Sequence, residues 1–262
     1  MIEPSVDALR IEKILRECGA MLIECLAAGK TEGDWHGDQF KAAADLIAHN
    51  FLMMALKTDY PHIPVVSEED SVIAENYFQD HFIIDPIDGT ASYAHGFPGW
   101  VTQIAYVQGG VTTLAGIYAP VNDEYFSAIK SVGSFCNGNR LRLVGSDTQL
   151  QTLIDNYPEA RGVTRELMKY LSMEKYVESG SIALKICRIA DQSADLFFKD
   201  MSPYDWDVAA PMLVLAEAGG VITDAFGSDL VLGRSGRRHK GLVVAANRVN
   251  VDRVLNWLAS EK

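Results

Sequence analysis

Three apolar stretches of this 262-residue sequence run into carboxylates: Val65-Val66-Ser67-Glu68-Glu69-Asp70, Ile83-Ile84-Asp85-Pro86-Ile87-Asp88-Gly89-Thr90, and Tyr204-Asp205-Trp206-Asp207-Val208. Acids that follow buried strands are costly unless paired or bound to a cation. Carboxylates are hard oxygen ligands, so several in one place suit Mg²⁺. In the middle stretch Pro86 fixes its own φ and keeps Asp85 extended. Asp85 and Asp88, across a tight bend, can then point into one space, one bridging two cations and the other binding one. The Ile87 carbonyl between them offers a further oxygen. Gly89 lets an anion approach the backbone. If Thr90 caps a short helix, the amides of Gly89, Thr90 and Ala91 can hold a phosphate. Each piece also has a plainer reading. Asp-Pro-x-Asp-Gly-Thr has the composition of an ordinary turn, the Glu-Glu-Asp cluster that of an acidic surface loop, and Asp207 that of a helix cap.

The elements that must position these acids follow from periodicity. Ile11, Ile14, Leu15, Cys18, Leu22 and Cys25 predict an amphipathic helix over residues 6–28. Gly29, Gly33 and Gly37 mark the loop after it, and a second helix is predicted from Phe40 to the Asp59-Tyr60-Pro61 stop. Ile63–Val66 and Phe82–Ile84 read as short strands. Val101–Val107 and Val111–Tyr118 read as a hairpin about Gly109-Gly110, and Tyr125–Ile129 and Gly133–Cys136 extend that sheet. Later the pattern alternates: strands at 150–154, 196–198, 221–223 and 242–246, helices at 160–171, 181–190, 208–218 and 249–259. The expected class is α+β, with a lobe over 1–145 carrying most of the acids and a lobe over 146–262 contributing Asp207.

Composition narrows the partners. The chain is 48% apolar, enough for a large core, and its formal net charge is −12. Such acidity argues against nucleic acid and anionic membranes as partners. Cys18, Cys25, Cys136 and Cys187 form no CxxC pair and no zinc spacing, which suits a reducing compartment. No signal peptide or membrane-length apolar run is visible, so a cytoplasmic protein is expected.

Two long stretches carry a resemblance. Phe82-Ile83-Ile84-Asp85-Pro86-Ile87-Asp88-Gly89-Thr90-Ala91-Ser92-Tyr93-Ala94-His95 and Trp206-Asp207-Val208-Ala209-Ala210-Pro211-Met212-Leu213-Val214-Leu215-Ala216-Glu217-Ala218-Gly219-Gly220 resemble the two signatures of the inositol monophosphatase family. That family comprises Mg²⁺-dependent, typically lithium-sensitive phosphatases. Glu68-Glu69 and Asp45 stand at fitting distances upstream, and the likeness spans roughly residues 8 to 259. The resemblance implies an alternating αβαβα sandwich and hydrolysis of a small phosphate monoester, inositol monophosphate or a similar sugar or polyol phosphate. It implies that Glu68, Asp85 and the Ile87 carbonyl hold a first Mg²⁺, and Asp85, Asp88 and Asp207 a second. Glu69 and Asp45 would place a third, weaker ion and the attacking water, with Thr90 linked to Asp45 through its hydroxyl. Gly89, Thr90 and Ala91 would hold phosphate, and a homodimer is implied. The chain departs from the family pattern where Lys41-Ala42-Ala43-Ala44, rather than a threonine, precedes Asp45.

The substrate side stays open at this stage. Counting back from Asp207 makes Asp200 the substrate's hydroxyl acceptor, whereas counting forward from Ala194-Asp195 puts Lys199 there. Histidinol phosphate, fructose 1,6-bisphosphate and 3′-phosphonucleotides are alternative substrates. A non-catalytic, metal-dependent regulator that binds a phosphorylated ligand or a partner protein is the alternative of another class. Ser181 either contacts substrate or only caps a helix. His95 either lies near the substrate or is structural. Arg234, Arg237, Arg238, His239 and Lys240 form either a solvated loop or an attractor for a second anionic group.

Overall fold

The computed structural model describes residues 6–29, 32–36, 39–70, 80–143, 149–233 and 238–260. Helix α1 (Ala8–Ala27) carries the predicted apolar stripe, and Asp7 caps it by accepting from the Leu9 N–H. The next segment differs from expectation. Gly33–His36 (β1) and Gln39–Ala42 (β2) pair as an antiparallel hairpin with Phe40 opposite Trp35, and α2 (Ala43–Asp59) starts only afterwards. The Asp45 carboxylate fixes that start by accepting from the Ala42 N–H at 2.6 Å.

Val65–Ser67 (β3), His81–Asp88 (β4), Val101–Gln108 (β5), Val111–Ala119 (β6), Glu124–Ile129 (β7), Gly133–Cys136 (β8) and Asn139–Leu141 (β9) form one sheet in chain order. Its β3–β4 pair is parallel and the rest antiparallel. A short helix, α3 (Thr90–Ala94), follows β4. A second sheet has the order β11-β10-β12-β14-β13, built from Thr152–Asp155 (β10), Lys175–Glu178 (β11), Leu196–Lys199 (β12), Val221–Thr223 (β13) and Leu242–Ala245 (β14). Strand β10 runs parallel to both β11 and β12. The remaining helices are α4 (Gly162–Leu171), α5 (Ile182–Ala190), α6 (Asp205–Ala218) and α7 (Arg248–Ser260).

Three apolar clusters set the layers. Ile11, Leu15, Leu22 and Leu52 of α1 and α2 pack on Phe82, Ile84 and Ile104 of the first sheet. The other face of that sheet, with Ile83, Val101 and Ala105, meets Ala183, Ile186, Val208 and Val214 of α5 and α6. These helices in turn meet Ile154, Phe197 and Val244 of the second sheet. The far face of the second sheet, with Leu153, Leu196 and Phe198, is covered by Leu167 of α4 and Val254 and Trp257 of α7. The order is the αβαβα sandwich implied by the resemblance. Helices α5 and α6 lie between the two sheets, and α6 is accordingly apolar nearly all round rather than striped. No described helix is long and apolar enough to cross a membrane.

Candidate active site

Strand β4 is buried along its whole length, with Phe82 and Ile84 facing α1 and α2 and Ile83 facing α5 and α6. Alternation puts Asp85 on the Ile83 side. Strict alternation would then send Asp88 to the opposite face. The register of β4 against β5 shifts between Asp85 and Asp88, and Ile87 packs with the α1–α2 cluster instead. Pro86 lies in that irregularity, beyond the last β3–β4 pair at Ile84, where it removes no ladder bond to β3. The shift restores Asp88 to the α5–α6 side. The two acids thus share a space through a strand irregularity rather than a simple turn.

Asp88 meets the start of α5. It accepts from the Ser181 hydroxyl at 2.6 Å, the Ala183 N–H at 2.7 Å and the Ile182 N–H at 3.1 Å. Ser181 is fully buried, and its oxygen also accepts from the Leu184 N–H at 2.8 Å, so the hydroxyl both caps α5 and holds Asp88. Asp207 stands in the first turn of α6, where it accepts from the Tyr204 N–H at 2.6 Å. One carboxylate oxygen from each of Asp85, Asp88 and Asp207 lies within 4.8 Å of the others.

Crowding shows in the electrostatics. Burial, then the charges of Glu68, Asp88 and Asp207, holds the Asp85 carboxyl well above the usual range. Burial raises Asp88 too, though its hydrogen bonds from Ser181 and α5 oppose the shift. Asp207 is pushed up to about 7 by burial and by Asp88, against the pull of the Tyr204 N–H, Lys199 and Lys185. Asp85 is only 1% exposed, yet no N–H or hydroxyl donor among the described residues reaches either of its oxygens, and its near polar neighbour is another carboxyl, Glu68. A buried carboxylate without donors is costly. A divalent cation is the partner that fits this donor set.

An open cleft of about 240 Å³ exposes this floor. Glu68, Asp85, Ile87, Asp88 and Asp207 line it, together with Gly89, Thr90, Ala91, Asn156 and Lys199. Gly89 has φ +95°, and a Cβ there would lie 3.0 Å from the Gly99 carbonyl oxygen. The Thr90 hydroxyl lies 3.1 Å from Asp45 Oδ1 and 3.0 Å from the Ile87 carbonyl. Asp45 is buried behind it in the first turn of α2. Glu69 is half-buried in the turn after β3, outside the lining, and its N–H donates to the Ser67 hydroxyl.

The Lys199–Asp200 ambiguity has a geometric answer. Phe197 faces α5 and α6 while Leu196 and Phe198 face the other way, so Lys199 follows Phe197 to the cleft side. Asp200 is exposed and lies off the lining. Of the basic cluster, Arg234 and Arg237 fall outside the described residues. Arg238 stacks 4.4 Å above the Tyr204 ring, His239 is buried 2.9 Å from Asp205, and Lys240 lies over Phe226. His95 is exposed, with its ring 2.6 Å from the Ala91 carbonyl at the end of α3.

Sequence reading overlooked Asn156 and Lys185. Asn156 comes immediately after β10, and a polar residue just past the apolar Leu153-Ile154 was the available signal. Lys185 is fully buried in α5. A lysine inside the apolar run Ile182-Ala183-Leu184-Lys185-Ile186-Cys187 marks a cation with a buried task. Its ammonium donates to the Asn156 side-chain carbonyl and, at 3.1 Å, to the Ser179 carbonyl.

Comparison with known proteins agrees with the geometry. The model of the inositol monophosphatase family matches residues 8–260. A putative Nus factor SuhB of Neisseria meningitidis is 32% identical over 249 residues, with 90% of this chain and 91% of that protein covered. Inositol monophosphatase 1 of Rattus norvegicus is 28% identical, with 98% of this chain and 96% of the rat protein covered. Among solved structures, the extragenic suppressor protein suhB of Bartonella henselae superposes with a TM-score of 0.78 at 26% identity, over 94% of this chain and 96% of that one. CysQ of Bacteroides thetaiotaomicron shares the fold at a TM-score of 0.78 and 20% identity, over 92% of this chain and 97% of its own. With nearly the whole length matched and both signature stretches folded into one acidic cleft, the chain belongs to the inositol monophosphatase family.

Proposed function

We propose that the protein is a Mg²⁺-dependent phosphatase that hydrolyses a small phosphate monoester, inositol monophosphate or a related sugar or polyol phosphate. The observation that carries this is Asp85, buried with no donor on either oxygen and set against Asp88 and Asp207. Glu68, Asp85, the Ile87 carbonyl, Asp88 and Asp207 would hold the ions. When bound, Mg²⁺ offsets phosphate charge, acidifies water and stabilises a leaving oxygen.

The chain's own groups do the rest. Asp88 is held in place by Ser181 and the α5 amides, so it keeps its position when the neighbouring charge changes. We assign Ser181 to that task rather than to substrate contact. Asp45, with Thr90 hydrogen-bonded in front of it, and Glu69 would position the attacking water and take its proton. The amides at Gly89, Thr90 and Ala91 would receive the phosphoryl oxygens, and the positive φ of Gly89 turns the chain there.

Phosphate release from inositol 1-phosphate, histidinol phosphate, fructose 1,6-bisphosphate and 3′-phosphoadenosine 5′-phosphate, with Mg²⁺ and with EDTA, tests the reading. Mg²⁺-dependent release is expected, and full activity in excess chelator would sink it. The same preparation should be a homodimer on light scattering and inhibited by Li⁺. A cytoplasmic location is supported by four cysteines that form no disulfide.

A second reading is favoured by the names of several relatives, which are called Nus factors. In it the chain binds a phosphorylated ligand and a partner without turnover. The net charge of −12 favours a protein over a nucleic acid as that partner. Saturable binding of inositol 1-phosphate with no turnover at any Mg²⁺ concentration would favour it.

A further inference from the structure

The second sheet contributes basic and amide groups to the same cleft. Strands β10 and β12 are neighbours and parallel, with Ile154 beside Phe197. Just past that pairing Asn156 follows the last residue of β10 and Lys199 ends β12, and both line the cleft. Ile154 and Phe197 face α5 and α6, while Asp155 turns away to accept from Thr164 of α4 at 3.1 Å. Asn156, one residue beyond β10, reaches the same cleft as Lys199 and is held there by Lys185. Lys185 Nζ donates to the Asn156 side-chain carbonyl, which directs the amide N–H₂ away from Lys185. The ends of two parallel strands thus present an amide donor and an ammonium together, and neither group accepts a hydrogen bond in that state. Asp200, the acceptor that a hydroxyl-rich neutral substrate would use, is off the cleft lining.

We propose that Asn156 and Lys199 form a subsite for a second anionic group, so that the preferred substrate carries a carboxylate or a further phosphate besides the phosphoryl group it loses. This rests on the phosphatase reading and narrows its substrate class. Lys199 is the specificity-determining residue, and Lys185 positions Asn156. With cations neutralising the acidic floor, an anion from the substrate replaces the negative charge that Lys199 otherwise shares with Asp207.

Three six-carbon phosphate esters test this: the cyclic glucose 6-phosphate and glucose 1,6-bisphosphate, and the open-chain 6-phosphogluconate. At saturating Mg²⁺ each competes against p-nitrophenyl phosphate, and each is also scored by the rise in Tm it produces. The wild type should bind at least one doubly anionic probe about tenfold tighter than glucose 6-phosphate, the size of one charge-assisted contact. Whichever probe gains identifies the second group as carboxylate or phosphate. Lys199→Met should reduce that preference to about twofold, and Lys199→Arg should keep most of it. Equal binding of all three by the wild type would overturn the subsite. So would a Lys199→Met variant that weakens all three alike, since that would make Lys199 a mere counter-charge for Asp207. Failure to turn over p-nitrophenyl phosphate would strike the phosphatase reading separately, and the Tm shifts would still decide whether a second anion is bound.

Discussion

Replacing Asp85 by asparagine should make the metal-free protein more stable and the metal-loaded protein less so. Asp85 is buried, has no donor on either oxygen, and faces two further carboxylates within 4.8 Å. An unsatisfied buried polar group costs ~1–3 kcal/mol. Asparagine keeps the shape, removes a charge and brings two N–H donors toward Asp88 and Asp207. In EDTA at pH 8 the variant should therefore gain roughly 1–3 kcal/mol, or several degrees in Tm for a domain of this size. The sign with pH is fixed by the raised carboxyls. Burial lifts Asp207 from 3.8 to about 7, so the folded state holds a proton that the unfolded chain has lost. The contribution of this group to metal-free stability is thus fully present below about pH 4 and is lost as pH rises through 7. The variant should show a shallower fall. Mg²⁺ at about a hundred times its dissociation constant should stabilise the wild type by ~2.7 kcal/mol and the variant far less. Thermal melts at pH 5 and pH 8, in EDTA and over a Mg²⁺ titration, measure all of this. A variant that melts below the wild type in EDTA at pH 8, or gains equally from Mg²⁺, would refute the argument.

Three further outcomes are expected. Gly89→Ala, at φ +95° with the Gly99 oxygen 3.0 Å from the new Cβ, should cost ~1–3 kcal/mol in urea unfolding and lower phosphate release. Thr90→Val should cost ~1–3 kcal/mol in urea unfolding while kcat falls by about 10² with little change in KM, because it removes the hydroxyl that contacts Asp45 and the Ile87 carbonyl. Unchanged kcat would remove Thr90 from the proton path. Arg188 bridges Glu124 of β7 and Asp191 after α5 across the Phe126 ring. Arg188→Ala should cost about 3 kcal/mol by denaturation, near the low end for a broken buried pair, while leaving the Mg²⁺-induced rise in Tm intact.

The acids were legible because their chemistry restricts them: carboxylates after buried strands need a cation or a cap, and the helices and hairpins around them repeat their apolar residues regularly. The features that escaped had weaker physical signals. Strand β11 is a sheet edge whose Lys175 and Val177 are exposed, so no apolar run announces it. Helix α6 begins at Asp205 rather than Val208, because its first-turn acids read as loop residues and its all-round apolar surface hides the period. Phe40 looked like the first residue of a helical stripe but belongs to a two-stranded hairpin. The choice between Lys199 and Asp200 turned on one residue of register, which only the pairing of β12 with its neighbours fixes.

The clasp of Asp88 by α5 has a consequence for how the molecule could be divided. A cut between Leu143 and Gln149 would leave Asp85 and Asp88 on one fragment, and Asp207 with the amides of Ile182 and Ala183 on the other. Neither piece would own a complete coordination shell. Fragment complementation would then be reported by the cation itself, whose uptake would appear only when the pieces reunite.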